Sequence, residues 1–132
     1  MKVCPENGKF DAIKHVFSLY GPEYVGLCYD CGHGNMAGDG LDDLESVKDR
    51  LVCTHLHDND SHGDQHNPLF TGTVDWPRLA SIIARSSYEK CISMEVTQPL
   101  SGIEDETEFL KTAFEGGTRF SEMVEQARQN IG

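Results

Sequence analysis

The stretch "RLVCTHLHDNDSHGDQH", Arg50 to His66, joins two kinds of sequence. Its first seven residues are a short apolar run rich in β-formers, while four histidines and three aspartates fall between Thr54 and His66. A short apolar run of this kind reads as a buried strand. Side chains able to ligate a metal therefore begin where a strand ends, and the fold turns on whether other strands of the chain end in the same way.

Three more runs have the same character: "MKVCP" (Met1 to Pro5), "YVGLCYD" (Tyr24 to Asp30) and "CISMEV" (Cys91 to Val96). Between them lie segments with helical spacing, Phe10 to Gly21, Gly40 to Arg50 and Val74 to Tyr88, the last placing Leu79, Ile82 and Ile83 on one face. Two further helices are expected at Glu104 to Gly117 and Arg119 to Gly132. The first of these opens with acids at its positive end and closes on glycines. Each strand is followed by a helix, which predicts a parallel α/β sheet, because parallel strands need crossovers of about a dozen residues or more. Four βα units make half of an eight-stranded barrel. No linker or low-complexity segment interrupts them.

Composition narrows the function. The 132 residues are 38% hydrophobic, enough for one core, and carry 11 basic against 22 acidic residues for a formal net charge of −11. That charge repels phosphate backbones and anionic membrane surfaces, so neither nucleic acid nor a membrane is the expected partner. The five cysteines (Cys4, Cys28, Cys31, Cys53, Cys91) are an odd number. With no signal peptide or long apolar span, they read as reduced thiols in a cytoplasmic protein. Cys28 and Cys31 form a C-x-x-C without a second such pair, and read as buried thiols rather than a structural zinc site.

In parallel α/β folds ligands bind at the carboxyl ends of strands. The first run ends in "PEN" with Glu6, the second in "YDCGH" with Asp30 and His33, the third in "HLHDND" with His55, His57 and Asp58, and the fourth in "MEV" with Glu95. A single strand-end aspartate is ordinarily a helix cap, and a single core histidine ordinarily just hydrogen-bonded. Their coincidence at every strand end points instead to a mixed oxygen and nitrogen site for a divalent cation.

"PENGKFDAIKHVFSLYGPEYVGLCYDCGHGNM", "THLHDNDSHGDQHNPLFTGTVDW" and "ISMEV" together resemble the last four strands of the xylose isomerase-like TIM barrels, the superfamily of sugar-phosphate isomerases/epimerases and metal-dependent apurinic endonucleases. The resemblance spans nearly the whole chain. It implies a single domain over residues 1–132, the C-terminal half of a (β/α)8 barrel (strands 5–8), without the half that completes it. It further implies a divalent metal (manganese, zinc, cobalt or magnesium) held by Glu6, Asp30, His55 and Glu95. His55 rather than His57 takes the ligand role when "HLHD" is aligned with the family's "HLKD"-type pattern, leaving His57 as a substrate contact. Endonuclease relatives add a further metal on elements that fall here on His33, Asp64 and His66, so the "DQH" loop either holds a second metal or closes over substrate. Trp76, where this long loop returns to a helix, either walls the pocket or packs.

The resemblance implies proton transfer next to a carbonyl of a sugar or sugar phosphate. A divalent ion stabilises the enediolate, and Glu6 and Glu95 serve as base and acid. A hydride shift would use the same site. Two rival expectations are a phosphodiesterase acting at abasic DNA, favoured by His33, Asp64 and His66 but opposed by the charge, and a non-catalytic half-barrel remnant. A half-barrel leaves bare sheet edges, so the expectation is either a piece of a longer protein that completes the barrel or a homodimer that covers the edges.

Overall fold

The computed structural model describes residues 1–132. In chain order its elements are α1 (Phe10–Leu19), β1 (Leu27–Asp30), α2 (Cys31–Ala37), α3 (Gly40–Val47), a 3-10 turn (Lys48–Arg50), β2 (Leu51–His55), α4 (Trp76–Ala84) and α5 (Glu106–Ile131). β1 and β2 pair in parallel with Cys28 opposite Cys53 and Asp30 opposite His55, after an irregularity between Leu27 and Cys28. The crossover between them runs through α2 and α3, as parallel pairing requires.

The two outer runs expected as strands do not form strands, although both lie in place. The N-terminal run meets β1 through parallel bridges at Val3–Val25 and Glu6–Cys28, and the run at Met94 meets Leu56 through another. Pro5 supplies its carbonyl to Cys28 but has no N–H to offer, which interrupts the first ladder. On the other side the Thr54 hydroxyl accepts from the Ser93 N–H at 3.0 Å, so a side chain replaces a backbone rung. The backbone order across the sheet is still N-terminal run, β1, β2, Met94 run.

Helices cover this layer with the faces that their spacing predicts. Leu79, Ile82 and Ile83 of α4 are all fully buried, and they join Leu27, Tyr29, Leu44, Leu56, Trp76 and Phe120 in one core. α4 begins cleanly because Asp75 accepts a hydrogen bond from the Arg78 N–H and Pro77 needs no partner at the first turn. Two expectations about helices need correction. The two C-terminal helices are one, α5, running through Gly116 and Gly117. These glycines do not cap a helix. Gly116 packs against Leu69 and Gly117 against Met94, where a Cβ would crowd both neighbours. The second correction is α2, which the sequence does not announce and which follows Asp30 directly.

Exposed apolar side chains gather at the two open sides: Val3, Tyr20 and Tyr24 beside the N-terminal run, Leu110 and Phe114 on α5. No helix is long and apolar enough to cross a membrane. All five cysteines are free thiols, with Cys28 and Cys31 buried.

Candidate metal centre

Strand alternation sends every second side chain to the same face, so a residue ending β1 and its register partner ending β2 converge. Asp30 and His55 are that pair. Glu6 arrives through its bridge to Cys28, and Glu95 through the Glu95 N–H bond to the Leu56 carbonyl. Glu6, Asp30, His55 and Glu95 bring one donor atom each within 4.8 Å of one another. His55 Nδ1 lies 2.8 Å from Glu6 Oε2 and 3.2 Å from Glu95 Oε2.

The donor set fits a divalent cation on charge grounds. Three carboxylates crowd around a single imidazole, which even when protonated offsets one negative charge. Asp30 is buried, and burial alone would push its carboxyl up. The hydrogen bonds it accepts from His57 Nε2 and from the His33 N–H outweigh this and hold its pKa below the usual aspartate value. An ionised, buried carboxylate at the floor of the cluster favours a cation above it. The oxygen-rich set with one nitrogen suits manganese, magnesium, cobalt or zinc.

The remaining predicted residues extend the cluster. His33 Nδ1 is 3.1 Å from Glu6 Oε1 and its Nε2 3.4 Å from Asp64 Oδ2. Asp64 Oδ1 is 3.2 Å from His66 Nε2, and His66 Nδ1 donates to the Glu95 carbonyl at 2.7 Å. A closed circuit results, Glu95–His55–Glu6–His33–Asp64–His66 and back to Glu95. The long loop after β2 thus folds over the strand ends instead of extending into solvent. His66 takes a left-handed backbone, φ 51, to make that contact. Burial lowers its pKa, but the Glu95 carbonyl and the Asp64 carboxylate more than reverse this and hold it above the ordinary histidine value. The second close trio of donors is His57, Asp64 and His66, so His57 stands where His33 was expected.

Two further residues of the expected site are buried. His57 has no exposed surface, its ring stacks on that of His66 at 3.9 Å, and its Nε2 faces Asp30. It supports Asp30 from beneath the cluster. Trp76 is likewise buried and packed edge-on against Phe120, the packing alternative of the two the sequence offered. Its indole N–H donates to Asp58 Oδ2 at 2.8 Å.

Sequence reasoning missed Asn7 and Asn59, and the positioning role of Asp58, which it named only as a strand-end residue. Asn7 clamps Asp30 through both backbone groups, its amide donating to the Asp30 carbonyl and its oxygen accepting from the Asp30 N–H. Asp58 accepts from the Val74 and Asn59 N–H groups as well as from Trp76, tying both ends of the long loop together. Asn59 donates to the Gly32 carbonyl and links the loop to α2. The only signal for Asn7 was its place beside Glu6 at the end of the first run.

Comparison with known proteins places the fold. A family model described as "Xylose isomerase-like TIM barrel" matches residues 2–113, and the chain belongs to that family. It is 35% identical over 114 residues to the uncharacterized protein y4fM of Sinorhizobium fredii, covering 86% of this chain and 36% of that protein. It is 29% identical over 83 residues to a probable endonuclease 4 of Mycobacterium leprae, covering 57% of this chain and 33% of that one. The crystal structure of a D-tagatose 3-epimerase-like protein superposes on the whole chain with a TM-score of 0.76 at 17% identity, using 50% of that structure. The chain thus spans about a third of the length of these two relatives and half of the solved structure.

Proposed function

We propose that this chain carries the metal-binding half of a divalent-metal-dependent sugar or sugar-phosphate isomerase/epimerase, with Glu6, Asp30, His55 and Glu95 as ligands. The observation that carries this reading is the convergence of those four donors, one from each strand or strand-like run, within 4.8 Å. A divalent cation bound there supplies Lewis-acid stabilisation to a carbonyl and its neighbouring hydroxyl. Glu6 and Glu95 flank His55 from opposite edges of the sheet and are the exposed members of the set, so one can take a carbon-bound proton while the other returns one to the opposite face through an enediolate. Asp30 and His55 hold the site rigid. His33, half-buried between Glu6 and Asp64, is placed to hydrogen-bond a substrate oxygen.

The four parallel runs correspond in this reading to strands 5–8 of the barrel, and a second copy closes the two open edges. A two-fold axis along the barrel would set the Val3 run of each copy beside the Met94 run of the other with strand direction preserved, and would cover Tyr24 and Phe114. The alternative, cleavage of abasic DNA, draws on the endonuclease 4 relative and on the His57, Asp64 and His66 trio, and is opposed by the net charge of −11. Small-molecule substrate and a cytoplasmic setting follow from the first reading.

Elemental analysis together with light scattering tests this, followed by incorporation of solvent deuterium into a panel of keto sugars. The expected result is at least one divalent ion per chain in a defined dimer, with exchange at the carbon beside the carbonyl. A metal-free monomer overturns the reading, and so does a metal-loaded dimer that nicks abasic duplex but exchanges no sugar proton.

A further inference from the structure

We propose that Cys28, Cys53 and His55 form a second cation site, thiophilic in character, one layer below the carboxylate site and sharing His55 with it. Cys28 and Cys53 face each other as register partners across β1 and β2, and both are free thiols. Each precedes by two residues the strand-end ligand on its own strand, Asp30 or His55, so alternation puts all four side chains on one face of the sheet. The rise of a strand, about 3.3 Å per residue, sets the thiols roughly 7 Å below the ends of the strands. One donor atom from each of Cys28, Cys53 and His55 lies within 4.8 Å of the others.

The two donor sets differ in kind. Two sulfurs with one nitrogen select soft or borderline cations such as zinc, cadmium or copper(I), whereas three carboxylates with one nitrogen accept manganese and magnesium. Binding of a divalent cation M2+ to the lower set releases two thiol protons, giving a bis-thiolate complex with no change of oxidation state. Because both sets need the same imidazole, occupancy of one opposes occupancy of the other. This competition, unlike the thiol site itself, rests on the metal-centre reading above. A thiophilic cation entering the lower set would accordingly displace a hard cation from the upper one.

Cadmium is the probe that separates these statements. The chain, kept reduced with a non-thiol phosphine, is titrated with Cd2+ while the ultraviolet thiolate-to-metal charge-transfer band is followed. The wild type should develop the band with one Cd2+ per chain. Cys53→Ser should lose it while keeping its circular dichroism and its Mn2+ binding. The double variant Cys4→Ser/Cys91→Ser, which removes the two exposed thiols, should keep it. A band that survives Cys53→Ser, or that vanishes in the double variant, overturns the site; Cys28→Ala provides the same test from the other strand. In Mn2+-loaded chain, followed by electron paramagnetic resonance, stoichiometric Cd2+ should expel Mn2+. Retention of Mn2+ beside a developed band overturns the sharing of His55. A chain that never binds Mn2+ but shows the cadmium behaviour leaves the thiol site standing and removes the proposed function instead.

Discussion

Glu6 and His55 are separated by 49 residues in sequence, yet Glu6 Oε2 lies 2.8 Å from His55 Nδ1. Nothing local brings them together. The contact exists because one residue ends an N-terminal run bridged to β1 and the other ends β2, which pairs with the opposite edge of β1. Glu95 reaches the same nitrogen from the far side, at 3.2 Å. Glu95→Gln keeps the shape of that side chain and removes its charge. It should abolish turnover and weaken Mn2+ binding by at least about tenfold in a calorimetric titration. Full activity in the variant would eliminate the proton-transfer role, and unchanged affinity would eliminate the ligand role.

Trp76 and Asp58 give a prediction about stability rather than chemistry. Asp58 is fully buried, and three donors satisfy it: the Asn59 and Val74 N–H groups and the Trp76 indole. Trp76→Phe retains much of the packing against Phe120 but leaves Asp58 Oδ2 without its 2.8 Å donor. An unsatisfied buried acceptor costs about 1–3 kcal/mol, more when charged. Urea unfolding should therefore show a loss in that range or somewhat above it, while a loss of only a few tenths would mean that the loop relaxes and admits water to Asp58.

What the sequence makes legible here is periodicity, and what it conceals is long-range. The buried face of α4 can be read from Leu79, Ile82 and Ile83 because helical spacing is a local property. The strand-end candidates that include the four converging donors can be read for a related reason: once the strands are placed, their carboxyl ends share one side of the sheet, whereas the choice of His55 over His57 rests on the family resemblance. α2 is a different case. CGHGNMA contains two glycines and has weak intrinsic helix preference, and the helix starts because Asp30, itself held by Asn7, accepts from the His33 N–H. The continuity of α5 through Gly116 and Gly117 depends on Leu69 and Met94, which no local window includes. Pro5 and Thr54 likewise shorten the outer strands through contacts across the sheet.

Gly32 tests whether His57 acts by supporting Asp30. A Cβ at Gly32 would fall inside the His57 ring, which is fully buried and has no empty space to enter. Gly32→Ala gains helix propensity of at most about 1 kcal/mol. Overpacking of a buried ring costs about 1–3 kcal/mol, so the net effect should be destabilising. The more informative readout is metal affinity, which should fall because displacing His57 removes a hydrogen bond from a ligand carboxylate. A variant that is less stable but binds Mn2+ with unchanged affinity would leave His57 as mere packing.

Acid should weaken the ion pairing that joins α3 to α4. Arg85 of the α4 C-cap meets Glu45 of α3 with two parallel hydrogen bonds, at 2.8 and 2.7 Å, and Arg78 adds a contact to Asp42. Arg85 holds the Glu45 carboxyl below its ordinary value of 4.5, with Lys48 assisting and slight burial opposing. A carboxyl with a depressed pKa in the folded chain binds its proton more readily when unfolded. Its contribution to stability is therefore present above pH 4.5 and disappears as pH falls through the folded value. Arg85→Ala should lower the urea midpoint slightly at neutral pH, as expected of a solvent-screened pair, and leave it unchanged once the pH lies below the folded Glu45 value. Added salt should shrink the neutral difference in the same way. A difference that persists in acid would assign the effect to the aliphatic stem of Arg85 packing on the helix, and would remove the ion pair from the account of how α3 is held.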